Sequence, residues 1–333
     1  MKVLLSGTAG GTGWPEPGCR CVSCAGLPSG HRRPFEPVVD GVARFPFDDP
    51  PSGYRACAGG LGLIGPDASR LLCLPQGRTV PADESARYDM VLIDLLDRPE
   101  RLGELRRAGL ADDRTQVVAV GLDHRVRSEG ELARLLRLWG ALAVPDGTEL
   151  ETGTAVHPAG SAPWRTLLLG GSRSGKSGEA ELRLAAEPYV TYVATGPGGA
   201  GDGEWAARVR AHRERRPAHW ATVETADLVP VVREATTPLL IDGLGTWLTA
   251  VFDEHGAWEG DRAPVRDRCD ELVAAWRQAP ARLVAVSDEV GMGVVPATSS
   301  GRAFRDALGR LNQRLAAESE YVALVVAGRL LEL

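Results

Sequence analysis

The fold of the C-terminal half is decided by residues 167–177, which read Leu167-Leu168-Leu169-Gly170-Gly171-Ser172-Arg173-Ser174-Gly175-Lys176-Ser177. The three leucines form a short apolar run that predicts a buried strand, and a helix is predicted from Gly175 to Glu187. The residues between them match the phosphate-binding pattern G-x-x-x-x-G-K-[ST]. Because the match falls on a strand-to-helix turn, it predicts a nucleotide-binding loop rather than an ordinary glycine-rich turn.

Each polar group of this loop has an expected role. The backbone N–H groups and the positive end of the helix can hold a triphosphate, Lys176 can reach its β and γ oxygens, and the Ser177 hydroxyl can bind Mg²⁺. Lys176 is one of only two lysines in the 333 residues, the other being Lys2. Asp242 ends another apolar run and is predicted to bind Mg²⁺ or its water shell, although an aspartate there is often a turn former or helix cap.

Beyond the loop, apolar runs alternate with helical patterns. The runs lie at 166–169, 189–194, 238–241, 282–287 and 321–327, and the helices are predicted near 175–187, 204–215, 264–279 and 301–318. This alternation predicts an α/β fold of the phosphate-loop (P-loop) type, with a mostly parallel sheet and flanking helices. The last helix carries one apolar stripe, made by Phe304, Leu308, Leu311 and Leu315.

The segment Glu151 to Pro163 is small, polar and rich in Gly and Pro, which predicts a linker between two domains at 1–150 and 164–333. The N-terminal domain is also predicted to be α/β. Its strands are expected at 90–93 and 116–120, and its helices near 98–108 and 129–139.

Composition narrows the class of function. The formal net charge of −6 gives no basic field for nucleic acid, so a small-molecule substrate is expected. Because no apolar run has the length of a signal peptide or a membrane span, we expect a cytoplasmic protein.

Three of the six cysteines cluster at Cys19, Cys21 and Cys24, which favours metal binding over disulfides. A tetrahedral zinc would need a fourth ligand, and buried free cysteines are the alternative.

An arginine-rich stretch from Glu204 to Trp220 contains His212 and His219. A solvated basic helix face is the ordinary interpretation. The stretch follows Val193-Ala194-Thr195 at a strand end, however, where ligands bind in open α/β sheets. Nearby positive charge favours a neutral, nucleophilic imidazole, which could attack a bound triphosphate.

Residues 165–333 resemble the bifunctional adenosylcobinamide kinase / adenosylcobinamide-phosphate guanylyltransferase family of cobalamin biosynthesis. The shared motifs are G-G-x-R-S-G-K-S at 170–177, E-x-A-A-R-V-x-x-H at 204–212, R-P-A-H-W at 216–220 and E-V-G-M-G-x-V-P at 289–296. The resemblance implies that ATP or GTP phosphorylates adenosylcobinamide. It also implies that GMP passes from GTP through His212 to the substrate phosphate, with Mg²⁺ as cofactor and a homo-oligomer, a trimer, as the assembly.

The same resemblance implies a set of nucleotide-binding residues: Gly170, Gly171, Ser172, Arg173, Ser174, Gly175, Lys176, Ser177, Ala194, Thr195, Arg213, Glu224 and Asp242. Lys176 and His212 are the expected catalytic residues, and Ser177 and Asp242 the expected Mg²⁺ ligands. The family carries a glutamate where this chain has Asp242, whose side chain is one methylene shorter. That departure leaves the Mg²⁺ geometry open.

The N-terminal half resembles phosphodiesterase-like hydrolases of the metallo-β-lactamase fold, on residues 4–19 and 118–124. The resemblance implies a structural zinc held by Cys19, Cys21, Cys24 and His124. The hydrolytic H-x-H-x-D-H run is absent, and Gly121 occupies a ligand position three residues before His124. We therefore expect a degenerate domain that keeps its structural zinc and has no hydrolase activity.

Two other functions fit parts of the sequence. A P-loop kinase of another small alcohol would use the same loop. A GTP-binding regulatory protein would need an N-K-x-D motif to read the base, and the sequence contains none. The N-terminal half could also serve as a zinc-stabilised interaction module.

Overall fold

The chain folds into two compact units. A computed structural model describes residues 1–79, 84–154, 162–196 and 216–333. The first unit comprises Met1–Ser161 with Ala185–Pro188, and the second comprises Ala162–Leu184 with Tyr189–Leu333. The chain first passes from one unit to the other inside the segment expected to be a linker.

The second unit is built on a seven-stranded sheet. Its strands are β10 (Arg165–Gly170), β11 (Thr191–Ala194), β12 (Ala221–Glu224), β13 (Leu239–Asp242), β14 (Leu283–Asp288), β15 (Tyr321–Val326) and β16 (Arg329–Glu332). Their order is β12-β11-β13-β14-β10-β15-β16, and every neighbouring pair is parallel except β15 and β16. The mostly parallel sheet predicted for this half is therefore confirmed.

The described helices of this unit cover both faces of the sheet. They are α4 (Lys176–Leu184), α5 (Leu228–Arg233), α6 (Leu244–Glu254), α7 (Ala263–Arg277) and α8 (Ser299–Ala317). Successive strand residues point to opposite faces, so Leu167 and Leu169 join one apolar core while Leu168 joins the other. The α8 residues Leu308 and Leu311 lie in the first core, as their stripe predicts.

Sequence expectation and structure agree on the long elements of this unit. The predicted strands and helices overlap the observed ones, with ends that differ by a few residues, and the helix predicted at 204–215 lies outside the described residues. The polar edge strand β12 and the helices α5 and α6 were not predicted. No helix in the described ranges is both long and apolar enough to cross a membrane.

The first unit contains two sheets. One is antiparallel, in the order β3-β2-β1-β9, and the other has the order β4-β5-β6-β7-β8. The strands are β1 (Lys2–Gly7), β2 (Glu36–Val39), β3 (Ala43–Arg44), β4 (Arg55–Cys57), β5 (Gly62–Ile64), β6 (Arg70–Leu74), β7 (Met90–Ile93), β8 (Gln116–Ala119) and β9 (Thr148–Glu151). Strands β6, β7 and β8 are parallel to one another.

Three α-helices are described in the first unit: α1 (Val22–Ala25), α2 (Glu100–Arg107) and α3 (Glu129–Trp139). The core between the sheets includes Val3 and Leu5 of β1 and Leu92 of β7, all fully buried. The predicted β7, α2, β8 and α3 all form. The α/β expectation for this half therefore holds for residues 90–139, whereas the two-sheet arrangement of its short strands was not predicted.

Candidate functional site

The phosphate loop connects β10 to α4 through a turn that requires glycine at two positions, 170 and 175. A Cβ at Gly170 would lie 2.5 Å from Ser174 Oγ and 2.7 Å from the Val325 carbonyl oxygen. Gly175 has a φ of +98°, which L side chains rarely adopt. A hydrogen bond also links the loop to the turn between β15 and β16, because the N–H of Gly328 donates to the Ser174 carbonyl oxygen at 2.8 Å. The α4 N-terminus is thus aimed at the carboxyl edge of the sheet.

Lys176 is the first residue of α4, and its ammonium lies within the loop. The Nζ atom donates to the Gly171 carbonyl oxygen at 3.0 Å and forms an ion pair with Asp288 Oδ1 at 2.9 Å. Asp288 ends β14, the strand beside β10, and is the register partner of Gly170. The loop lysine is therefore held between its own backbone and a carboxylate that the sequence reasoning did not assign a role.

The structure brings the two predicted Mg²⁺ ligands together. Ser177 Oγ donates to Asp242 Oδ1 at 3.3 Å, and the Tyr192 hydroxyl donates to Asp242 Oδ2 at 2.5 Å. Burial raises the pKa of Tyr192, and the neighbouring carboxylate raises it further, so the phenol stays protonated and donates. Hard oxygens such as these suit Mg²⁺. Tyr192 was missed as a site residue, although it lies two residues before the assigned Ala194.

Three of the predicted nucleotide residues lie on one row of the sheet. Ala194 of β11 is the register partner of Glu224 on β12 and of Asp242 on β13. Thr195 follows directly, and its hydroxyl donates to the Gly243 carbonyl oxygen at 2.6 Å. These residues therefore end their strands at the same carboxyl edge, where ligands bind in open parallel sheets.

A cavity of about 400 Å³ lies beside β12 and reaches the carboxyl edge of the sheet at Glu224. Its lining consists of Arg216, Pro217, Ala218, Trp220, Thr222 and Glu224. The Arg216 guanidinium carbon lies 3.2 Å from the centre of the Tyr192 ring, so a cation stands beside the phenol that holds Asp242. His212 and Arg213 lie outside the described residues, and their roles stay predictions.

A buried polar pair supports the end of β14. Ser287 Oγ donates to Asn312 Oδ1 at 2.6 Å, and Asn312 Nδ2 donates to the Asp288 carbonyl oxygen at 3.1 Å. Both side chains belong to residues that are almost fully buried. Buried polar groups of this kind stay paired because an unpaired one is costly, so Asn312 of α8 fixes the backbone that carries Asp288.

In the first unit, the four residues expected to bind zinc lie together. One ligand atom from each of Cys19, Cys21, Cys24 and His124 falls within 4.8 Å of all the others. In a tetrahedral zinc site with three sulfurs and one nitrogen, neighbouring ligand atoms lie about 3.5–3.8 Å apart, given Zn–S near 2.3 Å and Zn–N near 2.0 Å. The donor set of three thiols and one imidazole therefore fits zinc, with small adjustments.

The thiols of this cluster differ in environment. Burial raises the pKa of the Cys24 thiol to about 11, whereas the N–H of Cys24 lowers the pKa of Cys21. His124 Nδ1 lies 3.7 Å from Cys24 Sγ and 3.1 Å from the Glu16 carboxylate. A divalent cation would stabilise the thiolate form of all three cysteines.

Comparison with known proteins places the second unit in context. The sequence model of the family described as cobinamide kinase / cobinamide phosphate guanyltransferase matches residues 166–333. The bifunctional adenosylcobalamin biosynthesis protein CobU of Salmonella typhimurium is 40% identical over an alignment 178 residues long, which covers 49% of this chain and 95% of that protein. CobP of Pseudomonas aeruginosa, described likewise as bifunctional, is 43% identical over an alignment 172 residues long, which covers 49% of this chain and 94% of that protein.

Escherichia coli CobU gives a similar result, with 37% identity over an alignment 177 residues long, which covers 49% of this chain and 95% of that protein. A structural alignment with a solved ATPase of a type III secretion system covers 48% of this chain and 50% of the ATPase chain. The identity is 11% and the TM-score is 0.33, so the two structures are only weakly similar. The family resemblance predicted for the C-terminal half is thereby confirmed. Because the family match begins at residue 166, the metallo-β-lactamase resemblance of residues 1–150 stays a prediction.

Proposed function

The chain belongs to the cobinamide kinase / cobinamide phosphate guanyltransferase family, and we propose that it catalyses both of these reactions in adenosylcobalamin biosynthesis. In the first, a nucleoside triphosphate phosphorylates the aminopropanol hydroxyl of adenosylcobinamide. In the second, GTP donates GMP to the resulting phosphate, which gives adenosylcobinamide-GDP and pyrophosphate.

The observation that carries the proposal is the convergence of Lys176, Ser177 and Asp242 at one edge of the sheet. Lys176 lies in the loop, and Ser177 contacts Asp242 at 3.3 Å although 65 residues separate them in sequence. Such a site holds a triphosphate by backbone N–H groups and one ammonium. The Ser177 and Asp242 oxygens would hold Mg²⁺, which when bound neutralises charge on the transferring group.

The kinase step then requires little covalent chemistry from the protein. The loop orients the triphosphate, Lys176 offsets the charge that develops on its β and γ oxygens, and the substrate hydroxyl attacks the γ-phosphorus. The Tyr192 phenol keeps the Asp242 carboxylate in place. ATP and GTP can both fill this role, because the loop contacts phosphates rather than the base.

The guanylyl transfer is proposed to proceed through His212, on the strength of the E-x-A-A-R-V-x-x-H motif. An imidazole nitrogen attacks the α-phosphorus of GTP, a P–N bond forms, and pyrophosphate leaves. An oxygen of adenosylcobinamide phosphate then attacks the same phosphorus and releases the histidine. A covalent intermediate divides one transfer into two easier displacements. Arg213 and Glu224 are the proposed nucleotide contacts.

Mass spectrometry of the intact protein after incubation with GTP and Mg²⁺ tests this function. We expect a mass gain of one GMP, as an acid-labile and base-stable adduct that is absent in His212→Ala and present in His219→Ala. Adding adenosylcobinamide phosphate should discharge the adduct. An adduct that persists in His212→Ala, or wild-type protein that phosphorylates another alcohol and forms no adduct, would contradict the proposal.

For the first unit, we propose that Cys19, Cys21, Cys24 and His124 hold one structural zinc. The proposal is supported by the donor set and by the 4.8 Å limit on the spacing of the four ligand atoms. The three cysteines are close in sequence, whereas His124 is 100 residues beyond Cys24. Zinc would therefore tie the N-terminal loop to the segment after β8 and close a long loop.

A further inference from the structure

Asp288 occupies a central position at the carboxyl edge of the second unit. It ends β14, which lies between β10, the strand of the phosphate loop, and β13, the strand of Asp242. Its side chain is 41% exposed, and its Oδ1 atom lies 2.9 Å from Lys176 Nζ. This carboxylate therefore faces the open edge and contacts the cation that is expected to bind the terminal phosphates.

The two neighbouring carboxylates have other tasks. The Asp242 oxygens accept hydrogen bonds from Ser177 and Tyr192. Glu289 Oε1 accepts from the N–H of Gly291 at 2.6 Å and so closes the turn after β14. Of these three carboxylates, Asp288 is the one that is partly exposed at the site and also forms an ion pair with Lys176, the expected phosphate-binding lysine.

Two features of the fold determine the position of the Asp288 carboxylate. Asn312 of α8 fixes its backbone, as described above. On the other side, the second residue of α6 is Gly245, where a Cβ would lie 2.6 Å from Asp288 Oδ2. A side chain at residue 245 would therefore push the Asp288 carboxylate out of this position.

The ion pair sets the distance between Asp288 and a bound phosphate. A phosphate oxygen that is bonded to Nζ at about 2.8 Å would lie roughly 4.5–5 Å from a carboxylate oxygen on the same tetrahedral ammonium. A hydroxyl oxygen fits this gap, about 2.6–3.2 Å from the carboxylate and about 3–3.5 Å from phosphorus. A substrate alcohol placed between them would be aligned for attack.

We propose that Asp288 is the general base of the kinase step; this inference rests on the proposed function. The substrate hydroxyl donates its hydrogen bond to the Asp288 carboxylate. Its oxygen forms the new bond to the γ-phosphorus as the bond from that phosphorus to the bridging oxygen breaks. The nucleoside diphosphate leaves with the bridging electrons, and the hydroxyl proton passes to Asp288 and then to water.

The guanylyl transfer places no such demand on Asp288. Its first nucleophile is a neutral imidazole nitrogen, and its second is an oxygen of a phosphate monoester that is largely ionised at neutral pH. Neither has a proton that must be removed in the transition state. Loss of Asp288 should therefore separate the two activities, whereas damage to the loop should lower both.

Kinase and guanylylation rates of Asp288→Asn test the assignment. We expect a kinase kcat about 10²- to 10⁴-fold below wild type, a KM for the triphosphate that changes less than threefold, and guanylyl adduct formation within about threefold of wild type. Asp288→Glu should recover part of the kinase rate. Glu289→Gln is the matched control, because its amide oxygen can still accept from Gly291, and it should keep both activities.

Gly245→Ala gives a second test that leaves Asp288 itself unchanged. Its methyl group must displace the carboxylate, so the kinase rate should fall while guanylylation is kept. The inference fails if Asp288→Asn retains the kinase rate within threefold, or if it loses both activities equally, which would indicate a role in nucleotide binding. Absence of guanylyl transfer in the wild-type protein would instead contradict the proposed function.

Discussion

The Tyr192 hydroxyl, from the middle of β11, donates a 2.5 Å hydrogen bond to Oδ2 of Asp242, the predicted Mg²⁺ ligand that ends the neighbouring strand β13. The other carboxylate oxygen of Asp242 accepts from Ser177 at 3.3 Å. Tyr192 is almost fully buried, and Arg216 lies over its ring. The phenol therefore orients the Asp242 carboxylate.

We expect Tyr192→Phe to weaken Mg²⁺ binding without removing a Mg²⁺ ligand. Partners that orient a metal ligand typically contribute about 10- to 100-fold in metal affinity or activity. The Mg²⁺ concentration for half-maximal guanylylation should rise by about that factor, and the rate at saturating Mg²⁺ should change less. Tyr189→Phe, at a tyrosine that is 52% exposed, should leave the titration unchanged. An identical Mg²⁺ dependence in Tyr192→Phe would argue against this role.

Lys176→Ala should slow both half-reactions, because one loop is proposed to hold the triphosphate for each. Removing a charge-assisted phosphate contact costs on the order of 2 kcal/mol or more, or about 30-fold in rate. Single-turnover phosphorylation and guanylylation rates measure the effect. Lys2→Ala is the control, since the other lysine of the chain is exposed and pairs with Glu149. Guanylylation at the wild-type rate alongside lost kinase activity would reveal two nucleotide sites.

Much of the second unit was predictable because its signals are local. The run Leu167–Leu169, the glycine pattern and Lys176 are contiguous, and they specify a strand, a turn and a helix in order. Asp242 could be selected because a carboxylate at a strand end is the usual partner of such a loop. The contact between Ser177 and Asp242 shows that the strands reach the same edge.

The supporting residues could not be predicted because their roles depend on contacts between distant segments. In the sequence, Asn312 looks like any other polar residue on a helix. Its role depends on the packing of α8 beside β14, which lets the Asn312 amide donate to the Asp288 carbonyl oxygen. Tyr192 has the pattern of a core tyrosine, and only its hydroxyl partner on β13 gives it a role. The edge strand β12 was missed because its four residues are exposed and lack an apolar run.

In the first unit, the strands β1–β6 and β9 have two to six residues each. Strands so short give little periodicity, and their pairing is set by contacts such as that of β1 with β9, nearly 150 residues later. The cysteine spacing identified three candidate zinc ligands from the sequence. The fourth, His124, came from family resemblance, because its 100-residue separation from Cys24 leaves no local signal.

The first unit should become less stable in acid because the Glu129 carboxylate becomes protonated. This carboxylate accepts from Arg32 Nε at 2.6 Å and Nη2 at 3.0 Å, and the Arg32 guanidinium is nearly buried. Burial alone would raise the pKa of Glu129, but hydrogen bonds from Arg32 and His31 outweigh it and lower the pKa. The pair therefore stabilises the fold above the ordinary glutamate pKa of about 4.3, and this stabilisation is lost as the pH falls through the lowered value.

Accordingly, Glu129→Gln should destabilise the full chain at pH 7 by about 2 kcal/mol, because it leaves a buried guanidinium without its counter-charge. The difference from wild type should shrink as the pH falls from the ordinary glutamate pKa of about 4.3 through the lowered value, because the wild-type carboxyl then becomes protonated as well. Thermal unfolding across this pH range measures it. Glu36→Gln, which breaks an exposed pair with Arg44, should change stability by less than about 0.5 kcal/mol. A pH-independent difference would contradict the assigned origin.

Metal analysis of the purified full chain should find about one zinc per molecule, held by the four ligands of the first unit. Cys21→Ser removes one thiolate, so zinc content and the melting temperature of this unit should both fall, while guanylylation by the second unit persists. Cys57→Ser is the matched control, because it removes a partly exposed thiol of the same unit that lies outside the cluster. It should leave zinc content unchanged. Zinc-free wild-type protein, or two metals per chain with phosphodiesterase turnover, would contradict a degenerate domain that keeps its structural zinc.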